Sequence, residues 1–444
     1  MSKYGNVNNI KMYKNIWQMI LSFLPENYWH ILKVQNRSFR RLVKESASKI
    51  TDIKLLALNN QVESIMLLEN SFDIGVGFEY ACKGGHIDTA KLMMLRGAND
   101  LVLGLESACE GGHRAMVDWI IPKGGTKWSA GLMGACKGGH TDIAEYMISL
   151  GARASKFDLG LKYACKYGHI KVAELMISKG GSLINYDLRS ACQYGHTEMI
   201  DWIISKGIDD WDYGLKGACK GGQIDIVHLM ISKGATNWNA GLKYACYGGN
   251  ADIVDLMISK GATNWDNGFY FACMGNNLKL AELMILKGAN NNWNNALMGA
   301  CTKGHIDLAN YAIAKGANNW NAVFRYACMR GHRNIAELMI SNGATDWNGG
   351  LEWACERGNL DLAELCISKG ANNWNSGLYG ACSGGRVNMA ELMISKGANN
   401  WNRGLDGACQ SEHKKTIRLM IEKGATYCHN CYDIGAHINS HLNN

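Results

Sequence analysis

Residues 238–264 read WNAGLKYACYGGNADIVDLMISKGATN, and this stretch decides the fold because it predicts two short helices separated by a glycine turn. Asn239 is a good N-cap for the first helix. Leu242, Ala245 and Cys246 follow at helical spacing and form one apolar face.

The second half of the stretch predicts a helix with a broad apolar face. Gly248 and Gly249 end the first helix and turn the chain. Asp252 lies in the first turn of the second helix and Lys260 in its last turn, which suits the helix dipole. Gly261 follows as the left-handed residue that ends this helix. The apolar residues of the second helix are Ile253, Leu256, Met257 and Ile258.

The same unit recurs along most of the chain. An Ala-Cys pair marks it, and successive cysteines are 27 residues apart except for one spacing of 29 and one of 28. A degenerate copy lies upstream, with Ala57 at the cysteine position. Neither helix can bury its apolar face alone, so stacked units predict an all-α helical solenoid of about fourteen helix-turn-helix repeats. The cysteines in register are Cys82, Cys109, Cys136, Cys165, Cys192, Cys219, Cys246, Cys273, Cys301, Cys328, Cys355, Cys382 and Cys409.

The composition of the 444-residue chain excludes several classes of protein. Hydrophobic residues make up 47%, which argues against a disordered chain. No run of about 18 apolar residues predicts a membrane helix, and the N-terminus lacks the apolar core of a signal peptide. Sixteen cysteines without a secretion signal indicate a reducing compartment, so we expect an intracellular protein, cytoplasmic or nuclear. The net charge of +7 gives only weak support for nucleic-acid binding.

The repeated unit resembles the ankyrin repeat. The resemblance is carried by the G-H-x-D-I-A-E-L-M-I-S-K-G-A stretches, such as 139–148 and 331–344, and it covers roughly residues 50–426. The ankyrin unit has about 33 residues and opens with T-P-L-H, whereas this unit has 27 residues and lacks T-P-L-H. We therefore expect the projecting β-hairpins of ankyrin proteins to be missing.

This short, Asn-rich, Trp-bearing form of the repeat resembles ankyrin proteins of large DNA viruses that infect protists. That resemblance implies a protein that works inside a host cell. The ankyrin arrangement implies a curved solenoid that binds a protein target on its concave face, and we expect a monomer that does not associate with membranes.

A tryptophan recurs in the linkers. We interpret it as a packing residue that covers the shortened linker and contacts the next repeat. The alternative is an aromatic stripe on which nucleic-acid bases stack. The tryptophans in register are Trp211, Trp238, Trp265, Trp293, Trp320, Trp347, Trp374 and Trp401.

A histidine recurs at the turn between the two helices. A metal site would not tolerate its replacement by Gln223, Asn250 or Arg386 in other repeats, so we predict a role in hydrogen bonding at the turn and the helix start. The histidines at this position are His86, His113, His140, His169, His196, His305, His332 and His413.

The residue before Ala-Cys varies sharply between repeats, and variable positions carry specificity in solenoids. Aromatic residues suit interface anchors, so we predict a partner-binding face on the first helices. The alternative is that these aromatic side chains pack between neighbouring repeats. The predicted face contains Tyr163, Tyr244, Phe271, Tyr326 and Trp353.

Residues 1–49 contain no copy of the repeat and are too short for a core of their own. The stretch from 13 to 44 resembles an F-box, although Lys14-Asn15 replaces the usual Leu-Pro at its start. An F-box binds the Skp1 adaptor of cullin-type ubiquitin ligases through an apolar helical face. The alternative is a plain N-terminal cap for the solenoid. The resemblance implies Skp1 contacts at Ile16, Ile20, Leu21, Leu24, Pro25, Leu32 and Val34.

The tail, residues 427–444, contains one candidate metal site. Cys428 and Cys431 form a C-x-x-C pair, and His437 and His441 are spaced to share a helical face. Two thiolates and two imidazoles form a sound tetrahedral zinc set, although the gap between the pairs is shorter than in a standard finger. The alternative is a capping tail with incidental thiols.

No catalytic motif is found, because the glycines fall in helix-ending turns and not in phosphate-binding loops. We therefore expect a non-enzymatic protein without a cofactor, zinc in the tail excepted. The leading hypothesis is an adaptor that links a target bound by the repeats in 50–426 to a host Skp1–cullin ligase. The alternatives are a scaffold or decoy that binds a host protein without its ubiquitination, and a nucleic-acid-binding virion protein.

Overall fold

The computed structural model describes residues 53–60, 73–290 and 292–427. Within these ranges the secondary structure is helical and contains no strand, so the predicted all-α helical solenoid fold is confirmed. The F-box-like residues of 1–49 and the zinc candidates from Cys428 onward lie outside the described ranges. The chain divides into two compact units, one ending at Leu183 and the other beginning at Ile184.

In the first unit, the part of the chain that the structure describes forms α1 and then four helix pairs. A 3₁₀ helix, Ala154–Lys156, lies in the linker that accounts for the spacing of 29. The helices are α1 Ile53–Leu58, α2 Ile74–Lys83, α3 Ile87–Leu95, α4 Leu101–Glu110, α5 Arg114–Ile120, α6 Trp128–Gly138, α7 Thr141–Ser149, α8 Phe157–Tyr167 and α9 Ile170–Ser178.

The described residues of the second unit form nine helix pairs. Its helices are α10 Asn185–Tyr194, α11 Thr197–Ser205, α12 Trp211–Gly221, α13 Ile224–Lys233, α14 Trp238–Gly248, α15 Ala251–Ser259, α16 Trp265–Met274, α17 Leu278–Leu286, α18 Trp293–Lys303, α19 Ile306–Ala314, α20 Trp320–Arg330, α21 Arg333–Ser341, α22 Trp347–Arg357, α23 Leu360–Ser368, α24 Trp374–Ser383, α25 Val387–Lys396, α26 Trp401–Gln410 and α27 Lys414–Glu422. Even-numbered helices in both units are the first helices of their repeats.

The turn between α14 and α15 follows the prediction from the sequence. Gly249 adopts a left-handed φ of 79°, and the next amide, of Asn250, donates to the carbonyl of Ala245 at 3.0 Å. The end of α15 repeats this arrangement, with Gly261 at φ 102°. Left-handed residues at these two positions satisfy helix carbonyls that would otherwise lack a partner.

The prediction that Asn239 caps α14 is wrong. The N-cap is Asn237, whose side chain accepts a hydrogen bond from the amide of Ala240 at 3.0 Å. The side chain of Asn239 instead accepts bonds from the amides of Thr263 and Asn264 in the next linker, at 2.8 and 2.9 Å.

The same contact recurs along the second unit. An acceptor side chain directly after the linker tryptophan binds main-chain amides 24 or 25 residues further on. These residues are Asp212, Asn239, Asp266, Asn294, Asn321, Asn348, Asn375 and Asn402.

The core of each repeat contains small residues on the first helix and, in most repeats, a methionine on the second; in the others its place is taken by Ile120, Ile203, Ala312 and Cys366. Ala245, Cys246 and Met257 are fully buried. An added Cβ at Gly241 would overlap the sulfur of Met257, so the glycine makes room for the thioether. Burial raises the pKa of the Cys246 thiol to about 12, which keeps it protonated and confirms the prediction of a packing role.

The linker tryptophans are half-buried, and those that contact other rings pack against their own repeat and the preceding one. The ring of Trp293 in α18 lies 5.4 Å from that of Phe269 in α16 and 5.6 Å from that of Tyr311 in α19. Trp347 likewise lies 5.3 Å from Phe324 of the preceding repeat. Packing was predicted correctly, and these ring contacts are with the tryptophan's own repeat and the preceding one; contact with the next repeat stays a prediction.

First helices of neighbouring repeats approach closely where the residue before Ala-Cys is glycine. An added Cβ at Gly134 in α6 would overlap the carbonyl oxygen of Glu106 in α4, and one at Gly217 in α12 would overlap that of Arg189 in α10. A side chain at this position therefore requires the two helices to lie further apart. The variable position sets the local spacing of the first helices.

We expect Gly134→Ala to lower the melting temperature, because its Cβ would force α4 and α6 apart. Overpacking costs about 1–3 kcal/mol, whereas replacing a glycine in a helix gains only about 1 kcal/mol. Thermal unfolding followed by circular dichroism measures the effect. Gly299→Ala is the matched control, since a Cβ there would lie 3.1 Å from the carbonyl oxygen of Tyr270. Equal melting temperatures for the two variants would contradict the close approach.

Candidate protein-interaction surface

The five residues predicted to form a partner-binding face all lie on first helices. Tyr163, Tyr244, Phe271 and Tyr326 are half-buried, and Trp353 is 37% exposed. Of these five, Tyr244 and Phe271 contact each other, with ring centroids 6.3 Å apart across α14 and α16. The contact of Tyr244 with Phe271 across repeats, together with their partial exposure, agrees with both interpretations.

Two further rings surround Phe271. Tyr247, on α14, meets it edge to face at 6.3 Å, and Tyr270, on α16, does so at 5.3 Å. Edge-to-face pairs are stabilising beyond the area they bury. The four aromatic residues Tyr244, Tyr247, Tyr270 and Phe271 therefore form one cluster, which we call the aromatic cluster.

Basic side chains lie over the rings of the aromatic cluster. The Arg189 guanidinium in α10 lies 4.5 Å from the centre of the Tyr244 ring, and the Lys243 ammonium lies 4.2 Å from the centre of the Phe271 ring. Contacts of this kind hold a cation in place by the negative face of the ring. Arg189 and Tyr244 are two repeats apart, and Gly217 in the intervening helix α12 has no side chain to separate them.

Sequence reasoning missed these basic residues. Arg189, Lys216 and Lys243 occupy one repeat position, three residues before the cysteine, in three successive repeats. A comparison of that position across the repeats was the available signal, but we considered only the residues next to Ala-Cys. All three side chains are partly exposed.

The charge of this position differs elsewhere in the chain. Glu106 and Glu352 occupy it in α4 and α22. Glu106 pairs with Lys137 of the next repeat, and Arg325 at the same position pairs with Asp346 at 3.1 Å. Within the described residues, Arg189, Lys216 and Lys243 form no ion pair, so their charge is not neutralised by a neighbouring acid.

The histidine position connects neighbouring repeats. The Nε2 atom of His169 lies 2.9 Å from the carbonyl oxygen of Lys137, and the amide nitrogen of the Asn250 side chain donates to the carbonyl of Cys219 at 2.8 Å. Arg386 makes a longer bond of the same kind, at 3.4 Å to Glu356. Hydrogen bonding at this position is confirmed, but its predicted place at the helix start is wrong: these side chains form no cap bond to their own second helix, and the acceptor lies at the end of the first helix of the preceding repeat. Histidine, asparagine and arginine exchange here because each supplies an N–H donor.

The described residues hold no group of three or more histidine, cysteine or acidic side chains that is placed to bind a metal ion. Among them, no helix has the length and apolar character needed to span a membrane. Cys328 and Cys366 lie close together, with 3.9 Å between their sulfur atoms, but both are fully buried.

Comparison with known proteins agrees with the fold. Residues 269–349 match the family model described as ankyrin repeats, three copies. The chain therefore contains ankyrin repeats, which indicate protein–protein interaction. The ankyrin repeat domain of human ASB11 is 21% identical in sequence and matches 40% of this chain and 96% of its own, with a TM-score of 0.30. No curated protein matches the chain.

The histidine position predicts a pH dependence of stability. Burial and the neighbouring His86 and His140 lower the pKa of His113, although a bond to the Lys83 carbonyl opposes them. Because the unfolded chain binds the proton more readily, this contribution to stability is present above about pH 6.5 and is lost as the pH falls.

We expect His113→Asn to reduce the loss of melting temperature between pH 7.5 and pH 5.5, since asparagine occupies this position in other repeats and carries no titrating charge. Thermal unfolding at both pH values provides the measurement. The control is His228→Asn, at an exposed histidine on α13. The explanation is wrong if His113→Asn and the unmodified protein lose stability equally.

Proposed function

We propose that this protein is a non-enzymatic adaptor that recruits a target protein to a ubiquitin ligase. The repeats bind the target, and the N-terminal residues bind the Skp1 adaptor of a host cullin-type ligase. The observation that supports target binding is the difference between the buried and the exposed positions of each repeat. Apart from the partly exposed Cys409, the Ala-Cys pairs are buried and constant, whereas the exposed positions of the first helices change from repeat to repeat.

The aromatic cluster is the strongest candidate for the target site. It combines large, partly buried rings with basic side chains, and residues of this kind supply most of the binding energy in protein interfaces. The rings are held by contacts between repeats, so little side-chain freedom is lost when a partner binds.

The ligase half of the proposal rests on the F-box-like sequence of residues 13–44. A chain that binds a target at one site and Skp1 at another raises the effective concentration of the target near the ligase. Transfer of ubiquitin then needs no catalytic residue in this chain. A scaffold or decoy would bind the same target without Skp1.

We expect Ile20→Asp with Leu24→Asp to abolish capture of purified Skp1 by the full-length chain, because charged residues would disrupt the apolar face that the F-box resemblance implies. Capture on immobilised protein measures binding, and thermal unfolding checks that the repeats stay folded. The matched control is Ile285→Asp with Leu286→Asp, which makes the same change on α17. Absence of Skp1 binding by the unmodified chain would favour the scaffold.

We further propose that the tail binds one zinc ion through Cys428, Cys431, His437 and His441. The sequence supports this with a donor set that zinc prefers. Elemental analysis of the purified full-length chain is expected to find one zinc ion per chain, and Cys428→Ser with Cys431→Ser to remove it. Cys409→Ser changes a thiol of the repeats and should leave the zinc content unchanged. Zinc-free unmodified protein, purified without chelators, would refute the site.

A further inference from the structure

The basic residues beside the aromatic cluster form a continuous stripe in the second unit. Arg189, Lys216 and Lys243 lie at the same position of α10, α12 and α14, and Lys220 lies one turn further along α12. No acidic residue occupies either of these two repeat positions in α10, α12, α14 or α16. Asp212 and Asp266, on the same helices, accept main-chain amides of the following linkers.

We propose that this stripe binds an acidic segment of a partner protein in extended conformation. The inference deepens the proposed function, since it rests on the repeats binding a protein target and specifies where and by what chemistry. Carboxylates of the segment pair with Arg189, Lys216 and Lys243. An apolar side chain of the segment packs on the aromatic cluster, beside Phe271 and Tyr270.

The spacing of the stripe sets the pattern of the ligand. Neighbouring helices pack about 8–10 Å apart, and a segment extended in the polyproline II conformation advances about 3.1 Å per residue and places every third side chain on the same face. Three successive cations therefore match carboxylates at every third residue of an extended segment.

A nucleic acid is the competing ligand, because basic residues and aromatic rings also bind single strands. Base stacking requires an open ring face. Here Arg189 lies over Tyr244 and Lys243 lies over Phe271, so a base would compete with both cations. The arrangement presents the charged heads and not the ring faces, which favours carboxylates over bases.

The test is binding of a fluorescein-labelled ten-residue peptide with glutamate at every third position and one leucine, measured by anisotropy with the full-length chain. A peptide of the same composition with its glutamates adjacent is the matched ligand control. We expect the spaced peptide to bind more tightly, and the affinity to fall as salt is added, since the contacts are ionic.

The variant Lys216→Glu with Lys243→Glu should weaken binding of the spaced peptide by about tenfold or more, because two attractive charges become repulsive. Arg189→Gln is a milder second variant and should weaken binding several-fold. The control is Lys279→Glu, on an exposed second-helix position of α17, which should leave the affinity unchanged within about twofold. Unfolding curves confirm that each variant is folded.

The proposal is overturned if the spaced and adjacent peptides bind equally, if the stripe variants bind as the control does, or if no peptide binds. Tighter binding of an oligothymidylate, lost in Lys216→Glu with Lys243→Glu, would also overturn it and assign the stripe to nucleic acid. Skp1 capture tests the N-terminal residues in a separate experiment, so the failure of one proposal does not affect the test of the other.

Discussion

Each repeat is joined to its neighbour by side chains that form hydrogen bonds with main-chain groups of the adjacent repeat. At the linker, the side chain of Asn239 accepts hydrogen bonds from two amides of the following repeat. At the turn, the side chain of Asn250 donates a hydrogen bond to a carbonyl of the preceding repeat. A 27-residue repeat is too short to include a projecting β-hairpin, so the main-chain groups of the linker are not paired between strands. Hydrogen bonds from polar side chains take the place of such strand pairing and join each repeat to the next.

The spacing of the first helices follows from this arrangement and from one side-chain position. Where glycine precedes Ala-Cys, the helices touch and the surface above them is shallow. Where Tyr244 or Phe271 occupies the position, the ring fills the space between repeats and part of it reaches solvent. One residue of each repeat therefore affects both the packing of the helices and the shape of the surface. In the second unit the identity of this residue differs from one repeat to the next.

The sequence was sufficient for features that depend on neighbours close along the chain. The period of Ala-Cys, the turn at Gly249 and the burial of Cys246 follow from local pattern, and the structure confirms them. Contacts between units could not be predicted in the same way. The acceptor role of Asn239 depends on amides 24 residues away, and the contact between Arg189 and Tyr244 depends on the absence of a side chain at Gly217 in the helix between them. The F-box and zinc hypotheses remain predictions from the sequence alone.

The linker asparagines also bear on how such a chain can change its length over evolutionary time. Most repeats of the second unit offer an asparagine acceptor to the repeat after them and main-chain amides to the repeat before them. Unequal exchange that adds or deletes one whole repeat of this kind therefore leaves these junctions chemically complete. Insertion or deletion of part of a repeat would separate donors from acceptors. The two irregular spacings have their extra residues in linkers, before Phe157 and Trp293. The array can thus grow or shrink in steps of one unit, and each step moves a different set of surface residues next to its neighbours.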